Sequence, residues 1–165
     1  MTWIWNIIWQ IGNIDIEAAS GDVIVNGANA DALTVATSSG DIKLDSVSSK
    51  DTRISANSGD VSLGDVVMDN IDLKTSSGNI TSGSIKAKRI NGRASSGDVM
   101  IRDCDASEIN VVTTSGDVSI GIGSEMKYEY NTKTSSGDVN VPDSVEGADG
   151  KCNIETSSGD IDVTQ

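Results

Sequence analysis

At 165 residues the chain has the length of one domain, and a hydrophobic content of 36% with no Phe is lean for an ordinary globular core. Twelve basic against 25 acidic residues give a net charge of −13, which repels phosphate backbones and anionic lipid surfaces and argues against nucleic-acid binding. His is absent, which removes the commonest acid–base group, and no stretch approaches the ~20 apolar residues that span a bilayer, so direct membrane insertion is not expected.

Residues 1–11 form a Trp-rich N-terminal cap or self-association segment, ahead of a single domain over residues 12–165. Trp3, Trp5 and Trp9 all fall here. Read as a strand, every odd position from Trp3 to Ile11 is apolar; read as a helix, Thr2, Asn6 and Gln10 make one narrow polar stripe. Periodicity fits both. Either way the segment is too apolar to leave in water. Three uses stay open: a cap over the first coil, as repeat proteins need, an interface with another copy, or membrane contact. The first basic residue is Lys43 and no small-residue cleavage site follows the apolar start, so a secretory signal peptide is not expected.

From there the chain repeats. Ser-Gly-Asp, once Ser-Gly-Asn, recurs with its glycine at Gly21, Gly40, Gly59, Gly78, Gly97, Gly116, Gly137 and Gly159, spaced by 19 residues five times and then by 21 and 22. Two residues after each glycine stand Val23, Ile42, Val61, Ile80, Val99, Val118, Val139 and Ile161; four after it, mostly Val, Leu or Ile. Polar residues such as Lys43, Ser62 and Asn140 separate them. This alternation marks strands with one buried face. A second strand precedes each glycine, carrying residues such as Ile14, Ile71, Ile109 and Cys152 seven before it and a small Ala or Thr three before it. Seven residues after the glycine come Ala28, Val47, Val66, Ile85 and Cys104, resumed approximately by Val145.

Each coil thus sends about six side chains inward, and like stacks on like. The expected fold is an all-β, single-stranded parallel β-solenoid of about eight coils of ~19 residues, right-handed because parallel crossovers usually are. The last coil stops at Gln165 with no visible cap, an open edge that invites another chain. Cys104 and Cys152 fall in different coils, both at inward positions, and are expected as buried free thiols.

The turn residues have conformational work. Glycine supplies a positive φ, and Asp or Ser accepts hydrogen bonds from nearby amides. Asp22, Asp41, Asp60, Asp98, Asp117, Asp138 and Asp160, with Asn79, form a column along one edge. At the ~4.8 Å strand spacing like charges repel, by about 0.9 kcal/mol per pair in water. Amide hydrogen bonds with solvent screening offset this most simply. Calcium bridging neighbouring coils is the alternative, although one Asp per coil is a thin supply for an ion wanting six to eight oxygens. A second column, Asn91, Asn110, Asn131 and Asn153, suits amide bonding from coil to coil. Lys74, Arg93 and Lys133 stand near the same face.

An enzyme is not expected. The only extended loops, near Gly121 to Lys127 and Pro142 to Lys151, are too short to wall a deep pocket, and no nucleophile stands beside a base in a recognisable motif. The cycle T-S-S-G-D-(I/V)-x-(I/V), as from Thr37 to Leu44 and from Thr156 to Val163, resembles the bacterial Ser-Gly-Asp β-repeat family that carries the label "adhesin", over about residues 12–165. That resemblance implies a β-solenoid of unknown function, a cell-envelope or surface setting with a partner there, and no catalytic residues. The function expected is a non-catalytic structural or interaction protein presenting a repetitive polar face, with end-to-end self-assembly into an oligomer or filament open to it. The alternative is a binding module for a repetitive ligand such as surface polysaccharide or divalent cations.

Overall fold

A computed structural model describes residues 3–6, 10–123 and 125–165. The described strands all pair in parallel and wind into a β-solenoid of about eight coils, with no helix among the described residues. The expected fold class holds. The chain opens with β1 (Trp3–Asn6) and β2 (Gln10–Ala18). The next coils are β3 (Val23–Asn26) with β4 (Asn29–Ser39), β5 (Ile42–Asp45) with β6 (Val47–Ser58), and β7 (Val61–Leu63) with β8 (Val66–Ser77). β9 (Ile80–Ser96) and β10 (Val99–Ser115) each run round a coil without a break. Register follows the repeat: Leu33 lies beside Thr52, Thr52 beside Ile71, and Ile71 beside Ile90.

The coil of β5 and β6 shows how sequence becomes shape. Ile42, Leu44, Val47, Ser49, Thr52, Ile54 and Ala56 are all buried, one inward position more than the sequence suggests. The extra column is buried at Ala30, Ser49, Met68 and Ala106 and half-buried at Ala87. Beyond it two consecutive residues, Lys50 and Asp51, are exposed, so the alternation slips by one and the chain turns a corner. Ser46, at φ 54°, makes a second corner and Gly40, at φ 132°, the third. Three sides therefore enclose one dry column, in which each buried Ile, Val or Leu contributes roughly 1.5–3 kcal/mol.

The strand-versus-helix ambiguity at the start resolves to strand: β1 pairs with β3 and β2 with β4. Trp3 and Trp5 occupy register positions beside Val23 and Val25, while Trp9 lies outside the described residues.

One expectation is overturned. The later strands are β11 (Val118–Ile122), β12 (Tyr128–Ser136), β13 (Val139–Asn140), β14 (Gly150–Ser158) and β15 (Ile161–Thr164). They do not stack in chain order. β14 pairs with β10 on one side and β12 on the other, and β15 lies between β11 and β13. The coil of Gly159 thus sits inside the stack and the coil of Gly137 forms its end. Burial explains the exchange. Cys152, Ile154, Ile161 and Val163 are almost wholly buried in the inner place, whereas the equivalent positions of the outer coil hold Tyr130, Thr132, Val139 and Val141, none of them buried. The more apolar coil takes the place with two neighbours.

The end is also partly covered, contrary to the open last coil expected at Gln165. Tyr128, 1% exposed, spans the space above Gly150 and donates its hydroxyl hydrogen bond to Ala106 O at 2.6 Å. Its ring lies 5.9 Å from that of Tyr130. Val145 does not resume the inward column either. It is 41% exposed in the 141–149 connection. The column passes from Cys104 to Ile122 instead, across an irregularity in the β10–β11 register.

Candidate functional site

The turn edge is the most regular feature of the surface, and the Thr, Gly and Asp of T-S-S-G-D make recurring bonds from coil to coil there. The backbone N–H of Asp41 donates to Asp22 Oδ1 at 3.0 Å, and the series continues through Asp60 to Asp41, Asn79 to Asp60, Asp98 to Asn79 and Asp117 to Asp98. It then follows the spatial order, Asp160 to Asp117 and Asp138 to Asp160, both at 2.8 Å. Each side-chain oxygen therefore caps the amide of the coil above, rather than closing its own turn. The inward threonine bonds the opposite way: Thr75, Thr113, Thr156 and Thr134 donate to the carbonyls of Gly59, Gly97, Gly116 and Gly159 in the coil below. The turn glycines all have positive φ.

The structure thus brings all seven predicted aspartates into one column and shows what offsets their repulsion. An amide-bound carboxylate oxygen gains a charge-assisted hydrogen bond. Among the described residues no three His, Cys, Asp or Glu side chains converge to hold a metal ion. Asp41, charged on both sides, gives a clean test. Asp41→Asn retains an oxygen for the Asp60 amide and relieves two repulsions, so its thermal midpoint should match or exceed that of the parent, with any gain shrinking in salt. Asp41→Ala should cost about 1 kcal/mol. Equal loss in both variants would show that charge itself is required.

The asparagine column is real and longer than its sequence pattern. Asn153 donates to Asn110, Asn110 to Asn91, and Asn91 to Asp72, at 2.8, 3.2 and 2.9 Å. Asn131 stands beside Asn153. Lys133 pairs with Glu155 at 3.0 Å, and Lys74 lies next to Arg93 on the same outward face.

A further set escaped the sequence reading. At the corner after the extra inward column, Lys50 meets Asp31 at 2.8 Å, Lys88 meets Asp69 at 3.0 Å and Arg89 meets Glu108 at 2.8 Å. Asn110 and then Arg89 hold the Glu108 carboxyl below its ordinary range. These pairs are exposed and each contributes little, but alternating signs at 19-residue spacing help fix the register. That alternation is the signal which would have found them.

Cys104 and Cys152 are buried and free, as expected. Burial pushes both thiols up to about 12. Ionisation in the unfolded chain begins near 9.0, so their contribution to stability is complete below that pH and lost as pH rises toward 12. Neither thiol should react with an alkylating reagent at pH 8 until denaturant is added; labelling of the folded chain would contradict their burial.

The hollows described on this surface are open troughs. One of about 560 Å³ runs along Glu17, Ala36, Thr37 and Ser55. Fold and turn chemistry together define a class: a parallel β-solenoid whose coils are joined by aspartate-capped glycine turns. The chain belongs to the Toastrack DUF4097 family, whose model matches residues 9–164. No curated protein and no solved structure matches it.

Proposed function

We propose that this chain is a non-catalytic structural and interaction module, adhesin-like in that it holds a partner on a repetitive polar face. One observation carries the reading. The polar side chains recur at fixed surface positions from coil to coil and bond to one another, as in the Asn153–Asn110–Asn91–Asp72 series. Groups engaged in this way stiffen a face rather than move protons. The envelope or surface setting rests on the family resemblance of the T-S-S-G-D cycle alone.

The second reading, a module for a repetitive ligand such as surface polysaccharide, is favoured by the same periodicity, since a polymer can meet equivalent groups every ~4.8 Å. The test is binding of the full chain to an array of purified surface polysaccharides and to cell-envelope preparations, beside the variant K74E/R93E. Binding that the variant loses supports a partner on this face. Turnover of any bound polymer would overturn the non-catalytic reading. Thermal melts in calcium and in chelator address the cation version: superimposed curves remove it.

A further inference from the structure

On the outward face built by β4, β6, β8, β9, β10, β14 and β12, cations stand next to acids. Arg53 has the register position beside Asp72, Arg89 beside Glu108, Lys133 beside Glu155, and Lys151 lies between Glu108 and Glu129. Lys74 and Arg93 depart from this and stand beside each other. Their other neighbours in the row are Ser55 and Val112. Both cations are exposed, and among the described residues neither forms an ion pair. The acid two residues before Lys74 is already engaged: Arg53 lies 4.0 Å from the Asp72 carboxylate, and Asn91 donates to it at 2.9 Å. Like charges side by side on a sheet are destabilising. In a chain of net charge −13 this pair is left without a counter-charge.

The surface next to the pair is hollow. Along the same outward row Glu17, Ala36 and Ser55 lead up to Lys74. The short side chains of Ala36 and Ser55 form the floor of the open trough of about 560 Å³, and Ser38 and Asn57 line its turn side. We propose that this trough and the Lys74–Arg93 pair together bind an acidic, uronate-bearing polysaccharide, with sugar rings along Ala36 and Ser55 and a carboxylate held by the two cations. The inference rests on the polysaccharide reading given above and names the chemical class of that ligand.

The chemistry of the face selects this class. An arginine fork takes a carboxylate through two parallel hydrogen bonds, and a lysine adds a point charge. Ser38 and Asn57 offer hydroxyl and amide groups to sugar hydroxyls. An open trough suits a chain passing across the face better than a small anion, which needs enclosure. Charge spacing separates the ligand from nucleic acid. Duplex DNA carries one charge per about 1.7 Å, and Glu17 at the far end of the trough repels so dense an anion. Uronate charges are set apart by sugar rings, so a hydroxyl-bearing part of the polymer passes Glu17 while a carboxylate meets Lys74 and Arg93.

Titration calorimetry of the full chain at low salt tests the proposal. The probes are oligosaccharides of alternating glucuronate and N-acetylglucosamine and oligosaccharides of galacturonate, each beside a counterpart whose carboxylates are reduced to alcohols. K74Q/R93Q removes both charges, and S55I fills the trough floor at constant charge. The parent should bind an acidic probe, more weakly as salt is raised. K74Q/R93Q and carboxyl reduction should each weaken binding by about tenfold or more, the worth of one charge-assisted hydrogen bond, and S55I should weaken it several-fold. Circular dichroism checks that each variant keeps its β-structure. Binding indifferent to K74Q/R93Q or to carboxyl reduction overturns the proposal and leaves the polysaccharide reading standing, as does binding of neutral polysaccharides alone. If no polysaccharide binds, both fall. Poly-glutamate bound as tightly as the acidic probes, with S55I without effect, overturns the proposal in favour of an acidic protein segment.

Discussion

Gly78→Ala should destabilise the protein by about 3–5 kcal/mol in urea unfolding, far more than a surface alanine usually costs. Two causes act together. Gly78 has φ 144°, a conformation that L side chains rarely adopt. A Cβ there would also lie 2.6 Å from Gly59 C, and closer still to its oxygen. That oxygen accepts the Thr75 hydroxyl, so a shift to relieve the clash disturbs the inter-coil bond as well. Gly147→Ala is the control: its φ is 73°, but a Cβ meets nothing within 4 Å. It should cost only the backbone strain of about 1–2 kcal/mol. Equal losses at the two sites would mean that coil-to-coil approach at the turn does not limit stability.

The reach of the sequence can be judged residue by residue. The turn glycines and the Val, Ile and Leu columns beside them were legible because one chemical requirement recurs at one spacing. The column of Ala30, Ser49, Met68 and Ala106 was not, since its residues range from Ala and Ser to Met and the alternation slips just after it. The misplacement of Val145 came from extending a column across a connection of altered length. For the candidate site, the aspartate and asparagine columns were readable as columns, yet the direction of their bonds was not. Composition cannot show that an aspartate serves the amide of the next layer rather than its own turn.

Coil order was hidden for a deeper reason. A repeat tells which residues are equivalent, not which copies touch. The contrast between Ile154 and Thr132, or Ile161 and Val139, was the available clue, because the inner place demands the more apolar coil.

That order supports the second large prediction. Ile154 is 2% exposed, between Val111 and Thr132. Ile154→Ala should cost about 2–5 kcal/mol despite lying so near the last described residue. Thr132→Ala, at the outer coil, should cost less than about 1 kcal/mol. Hydrogen exchange gives an independent reading: amides of β14 should outlast those of β12 that face away from it. If the coils stacked in chain order the ranking would invert, with residues 128–136 protected and residues 150–158 exchanging first.

The exchanged coils also bear on biosynthesis. As a nascent chain leaves the ribosome, each early layer can settle on the one before it. The Tyr128–Val141 segment cannot, because its resting place is made of residues translated afterwards. At roughly 5–20 residues per second the wait lasts on the order of one to five seconds, with Tyr128, Tyr130 and an unpaired edge exposed to chaperones. The Gly159 layer is the keystone: it is set late, and it locks in a course of the wall that was laid out before it.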